Sequence, residues 1–184
     1  IHSMPDEENA LVGKTGKQLP LRVASELPGQ INSLHVVASL DPRAGGPSRT
    51  VVQLTDALAD AAGTGVTLLS QGIAGEPAVA SRCPQVVRVI GKARSSMALR
   101  AGLPIRRELV AIGKQQRPAL IHSHGLWLPV NHWTSSAARQ WGVPLVIHPR
   151  GMLEPWAINQ KAWKKKLAMT LFQRRDLDSA ALLM

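Results

Sequence analysis

From Leu34 onward the chain alternates short, wholly apolar runs with longer stretches in which apolar positions recur every three or four residues. The short runs predict strands near Leu34–Ser39, Val66–Ser70, Val86–Ile90, Ala119–His122, Leu145–His148 and Ala180–Met184. The longer stretches predict helices near Ser48–Ala62, Pro104–Gln115, Pro129–Trp141 and Pro155–Asp176. Apolar strands separated by helices are βα units, so the expected class is α/β, an open parallel sheet with helices on both faces. Gly63 and Gly142 stand just past two helix ends, where a left-handed residue closes the last turn. Pro144 opens the next strand at a position that needs no amide hydrogen. Residues 1–33 show neither period and mix Pro, Gly, Lys and Glu, which reads as a mobile tail before one domain at 34–184. The last strand runs into the final residue, and from this the chain is expected to be part of a longer protein.

Open parallel sheets bind ligands in the turns at the carboxyl ends of their strands. Two such turns are crowded with chemistry: His122-Ser123-His124-Gly125-Leu126-Trp127 and His148-Pro149-Arg150-Gly151-Met152-Leu153-Glu154. A third follows the first strand, Asp41-Pro42-Arg43-Ala44-Gly45-Gly46-Pro47-Ser48, and leads into a helix. Adjacent glycines let backbone amides approach a ligand closely, and the helix start beyond them favours an anion such as phosphate. The plainer reading is a tight turn with Ser48 as helix cap. His122 and His124 are read as facing opposite sides of the strand, His124 into the cleft and His122 into the core, so that they share no metal. His132 and His148 are assigned structural or rim positions.

Composition narrows the classes. The chain has 184 residues, 45% of them hydrophobic, and no apolar run near the roughly 18 residues of a membrane span. Cys83 is the one cysteine, so no internal disulfide forms, and with no leader pattern visible a reducing, cytoplasmic setting is expected. No cysteine or Asp/Glu cluster has zinc spacing, and no G-x-S-x-G elbow occurs to support a serine hydrolase. Gly13-Lys14-Thr15 resembles the end of a phosphate loop, but Glu8 stands where its first glycine should be.

The formal charge of +10 gathers late, at Lys161, Lys164, Lys165, Lys166, Arg174 and Arg175. On the same stretch Trp156, Trp163, Leu167 and Leu171 make a helical stripe, read as packing against the sheet with the lysines on the other faces. Such a basic helix suits an anionic membrane surface. Nucleic acid is not expected, because the indoles are assigned to the apolar side.

Taken in order, the Leu34-His35-Val36-Val37 strand with its Asp41–Arg49 turn, the His122–Trp127 turn, the Pro149–Trp156 turn and Lys161-Ala162-Trp163-Lys164-Lys165 resemble the amino-terminal domain of group 1 (family 4) retaining glycosyltransferases of the GT-B fold. The resemblance implies one Rossmann-like half of a two-domain enzyme that moves a sugar from a nucleotide-sugar donor to a glycan or lipid-linked acceptor, with polysaccharide assembly as the setting and no metal. It implies that Gly45 and Gly46 approach the donor phosphates, that His124 lies beside the transferred sugar as the catalytic residue, and that Arg150 and Glu154 shape the acceptor side. The second domain of that family is missing here, so the chain alone is expected to be inactive, and peripheral attachment to the inner membrane face is expected. The alternative is a non-catalytic module holding a phosphorylated ligand or an anionic surface.

Overall fold

The computed structural model describes residues 31–61 and 64–184, so Gly63, the Gly13-Lys14-Thr15 triplet and most of the expected tail lie outside the described residues. Among the described residues six strands, β1 (Ile31–Val37), β2 (Thr64–Ile73), β3 (Val87–Ala93), β4 (Leu120–His124), β5 (Leu145–His148) and β6 (Leu182–Leu183), form one sheet in the order β3-β2-β1-β4-β5-β6. Every pairing is parallel. This is the doubly wound order in which the chain reverses direction across the sheet between β1 and β4, leaving a crevice at their carboxyl ends. β1 takes in Ile31–Ser33, residues that the hydrophobic pattern assigns to the tail.

The helices are α1 (Gly46–Asp60), α2 (Ser96–Arg100), α3 (Leu103–Gln115), α4 (Pro129–Trp141), α5 (Pro155–Asn159), α6 (Ala162–Ala168) and α7 (Arg174–Asp178). α1 covers one face, where Val37, Val66 and Leu68 meet Val51, Val52 and Ala59. α3 and α4 cover the other, where Leu34, Val36, Ile121 and Ile147 meet Ile105, Leu109, Ile112 and Ala138. α4 begins on Pro129 and stops at Gly142, whose φ of 68° is the left-handed closure expected there.

The long helix expected over Pro155–Asp176 is not continuous. It breaks at Gln160–Lys161, where Lys161 takes φ 51°, and residues Met169–Gln173 are wound as a π-helix between α6 and α7. The extra winding brings Ala168, Gln173 and Asp176 to one buried side. There Asp176, 1% exposed, receives Arg139 Nη1 at 2.8 Å and lies 3.0 Å from His132 Nδ1, tying α7 to α4. That choice of face corrects the expected stripe. Trp156, Trp163, Leu167 and Leu171 do not pack against the sheet; each is at least half exposed. Trp156 belongs to α5 and the other three to a separate helical segment, so a period counted across the break joins residues that share no face.

Candidate functional site

Four histidines converge on the α1 face of the sheet near its carboxyl edge. β1 places His35 opposite His122 of β4, and the next rung places His124 opposite His148 of β5. Ring centroids lie 4.1 Å apart for His122 and His124, 5.5 Å for His35 and His124, and 6.2 Å for His122 and His148. The expectation that His122 and His124 face opposite ways is therefore wrong, and the reason is elementary: side chains alternate at every residue, so positions two apart share a face. Neither His35 nor His148 was expected here. The signal was available, since a histidine inside the apolar run Leu34–Ser39 must be buried and needs a partner.

His35 is 2% exposed, His122 7% and His124 3%. Burial disfavours the imidazolium, and each ring and the nearby Arg150 repel one another's charge, so the cluster stays neutral. His35 is pushed down to about 3 and His122 to about 4, and His124 is lowered further, burial being the largest cause in each. His148, nearer solvent, is lowered by burial and then by Arg150.

Arg150 follows β5 in a left-handed backbone (φ 57°) that swings its side chain back over the cluster. One guanidinium nitrogen, Nη2, sits 3.0 Å from His124 Nδ1, and Nη1 donates to Thr50 Oγ1 at 3.0 Å near the start of α1. Arg150 thus spans the switch point, linking the β4 turn to the helix that starts at the double glycine. Gly45 has φ 98° and ψ −164°, a conformation open essentially to glycine alone. At Gly46 a Cβ would meet nothing within 4 Å, so the approach to the start of α1 is open. Ser48 lies inside that first turn rather than capping it, and donates to the Gly45 carbonyl at 2.7 Å.

The turn after β4 is held from behind. Gly125 N donates to the His148 carbonyl at 2.8 Å, Asn131 Nδ2 donates to Ser123 Oγ at 3.2 Å, and Trp127 N donates to Gln173 Oε1 at 2.8 Å. Gln173 is positioned by the π-helical turn, an insertion type that recurs at functional sites. Glu154 sits exposed at the start of α5, and among the described residues its carboxylate has no ion-pair or hydrogen-bond partner. The structure brings Gly45, Gly46, His124 and Arg150 to one end of the sheet. Lys161, Lys164 and Lys166 are exposed on a separate surface with Trp163, whose ring lies 5.3 Å from Lys164 Nζ, while the half-buried Lys165 donates its Nζ to the Ala157 carbonyl. Trp156 and Trp163 are exposed on the same stretch as these lysines, so the indoles are not confined to an apolar side as expected.

Among the described residues no helix is long and apolar enough to cross a membrane. The family model for the glycosyl transferase 4-like domain matches residues 45–184, well over half of the chain. No curated protein matches it.

Proposed function

The chain belongs to the glycosyl transferase 4-like family, and from that membership we propose that it is the acceptor-side half of a retaining GT-B sugar transferase, completed by a second lobe that holds the nucleotide-sugar. The observation that carries the reading is the meeting, at the switch point of a β3-β2-β1-β4-β5-β6 sheet, of an open double-glycine helix start with Arg150. Displacement of a nucleoside diphosphate develops negative charge on the leaving phosphates. Fixed amide dipoles and a guanidinium that need not reorganise are what such a step requires. Gly45 and Gly46 are assigned to the donor phosphates, Glu154 to the acceptor side, and Arg150 to the boundary between the two. Both ring nitrogens of His124 are occupied within the protein, so we place His124 behind Arg150, as the group that holds it, rather than against the sugar. No metal enters this scheme, and the lobe alone is assigned no turnover.

Glycan or lipid-linked acceptors in polysaccharide assembly fit the exposed surface of α5, α6 and the π-helical turn that follows. Trp156, Trp163, Leu167 and Leu171 stand out with Lys161, Lys164 and Lys166 among them. Indole and leucine at the headgroup boundary, with roughly 1 kcal/mol per nearby lysine at an anionic surface, favour peripheral attachment. Co-sedimentation with vesicles tests it: pelleting with anionic lipid that is lost as salt rises is expected. Equal pelleting with neutral lipid, or retention of single-stranded DNA alone, would overturn the membrane assignment.

The transferase reading is tested on a protein that joins this chain to its donor lobe. Release of nucleoside diphosphate from a panel of nucleotide-sugars should be seen, with the anomeric configuration of the donor kept in the product. Gly46→Val should raise the donor KM at least tenfold while leaving the fold intact, because the added side chain occupies the open approach. An unchanged donor KM would remove the loop from the site.

A further inference from the structure

The histidine cluster has a direction. A guanidinium can only donate, so the 3.0 Å contact to Arg150 fixes the lone pair of His124 on Nδ1 and its proton on Nε2. That proton points to His35 Nδ1 at 3.2 Å, which in turn leaves the His35 proton on Nε2, a buried atom with no partner among the described residues. The chain of donation therefore runs Arg150 to His124 to His35 and cannot be reversed while all three are in place.

This direction decides between two guests. His35, His122 and His124 bring ligand atoms within 4.8 Å of one another, as a tris-histidine metal site would. Yet a metal-bound imidazole donates its second N–H to a carboxylate or carbonyl, whereas here the second nitrogen of His124 accepts from a cation. A divalent ion would also add charge beside a guanidinium that has no carboxylate within 4 Å among the described residues. An anion has the opposite relation to every one of these groups. Arg150 is partly buried, its Nε is wholly enclosed without a partner, and its other contacts are neutral acceptors, His124 and Thr50. Its positive charge is retained and aimed along the start of α1, where amides point outward.

We propose that Arg150 is the receptor for a substrate phosphate, with His35 a positioning residue that accepts the Nε2 proton of His124 and so holds that ring, and the guanidinium resting on it, in place. A neutral hydrogen-bonding scaffold orients the fork without neutralising it, which a carboxylate in the same place could not do. The biological source of the phosphate rests on the transferase reading: it is either the donor's diphosphate or a phosphate on the acceptor.

The experiment titrates the full chain with inorganic pyrophosphate by calorimetry, then with uridine diphosphate and a short-chain prenyl phosphate in separate arms. Arg150→Gln should weaken pyrophosphate binding at least tenfold and Arg150→Lys less, since the lysine keeps the charge but loses the fork. His35→Leu should weaken it several-fold, and His35→Asn, which can still accept from His124, should restore it. Nitrogen NMR of the parent should show His124 protonated on Nε2. The proposal is overturned if Arg150→Gln binds pyrophosphate like the parent, if His35→Leu and His35→Asn behave alike, or if Lys164→Ala with Lys165→Ala abolishes binding instead. Preference for uridine diphosphate assigns the site to the donor, and preference for prenyl phosphate to the acceptor. Phosphate binding without sugar transfer in the two-lobe protein would sink the transferase reading and leave this site standing.

Discussion

Acidification should destabilise this domain from about pH 6.5 downward, starting before the carboxylates titrate. His35 and His122 are held neutral in the fold, at about 3 and about 4, against an ordinary value of 6.5. A base with a depressed folded pKa takes up a proton when the chain unfolds, so stability rises with pH between the two values and is flat above the upper one. The loss therefore begins as pH falls through about 6.5 and ends only near the folded values. At about pH 5 an unfolded imidazole is almost fully protonated, which costs about 2 kcal/mol for each histidine that the fold keeps neutral. The pair together gives about 4 kcal/mol, a large share of the 5–15 kcal/mol typical of a domain. His124, lowered in the same direction, adds to it. Asp41, the acid lowered by Arg43, acts below its ordinary 3.8 and leaves this window alone. Urea unfolding near pH 7.5 and near pH 5 measures the difference, and His35→Asn with His122→Asn should flatten it. A difference below about 1 kcal/mol, or an NMR titration of His122 near 6.5, would refute the buried neutral cluster.

Two further outcomes follow from the geometry. Asp176→Ala should cost about 3 kcal/mol and lower Tm by several degrees, because it strands Arg139 and His132 beside a buried cavity. Gly45→Ala should cost about 1–3 kcal/mol although no atom stands in the way of the new Cβ, whereas Gly46→Ala should be nearly neutral; equal urea midpoints for the two would deny the backbone argument.

How much of this was legible in the chain depends on how local each signal was. α4 and β5 match their expected bounds because Pro129, Gly142 and Pro144 punctuate them. The α/β class follows from strands apolar on both faces, and the three turns at the sheet's carboxyl edge are marked by Gly, Pro, His and Arg. α2 is five residues and too short to show a period. The break at Gln160–Lys161 carries neither proline nor glycine, so nothing local separates α5 from α6. The cluster itself arises from register, His35 against His122 and His124 against His148, and pairing between strands almost ninety residues apart leaves no trace in either segment. Reading His122 and His124 on one face required only the two-residue repeat; finding His35 beside them required the fold.

Among the described residues, three other than glycine stand in the left-handed region: Trp127 at φ 70°, Arg150 at 57° and Lys161 at 51°. Each position would suit glycine better, by on the order of 1 kcal/mol of backbone strain. A redesign guided by stability alone would replace all three and gain. It would also erase the indole in the β4 turn, the guanidinium over the histidines and the first lysine of the basic surface. Thermal tolerance and these three side chains are therefore opposed objectives, and variants selected for heat resistance should lose them first.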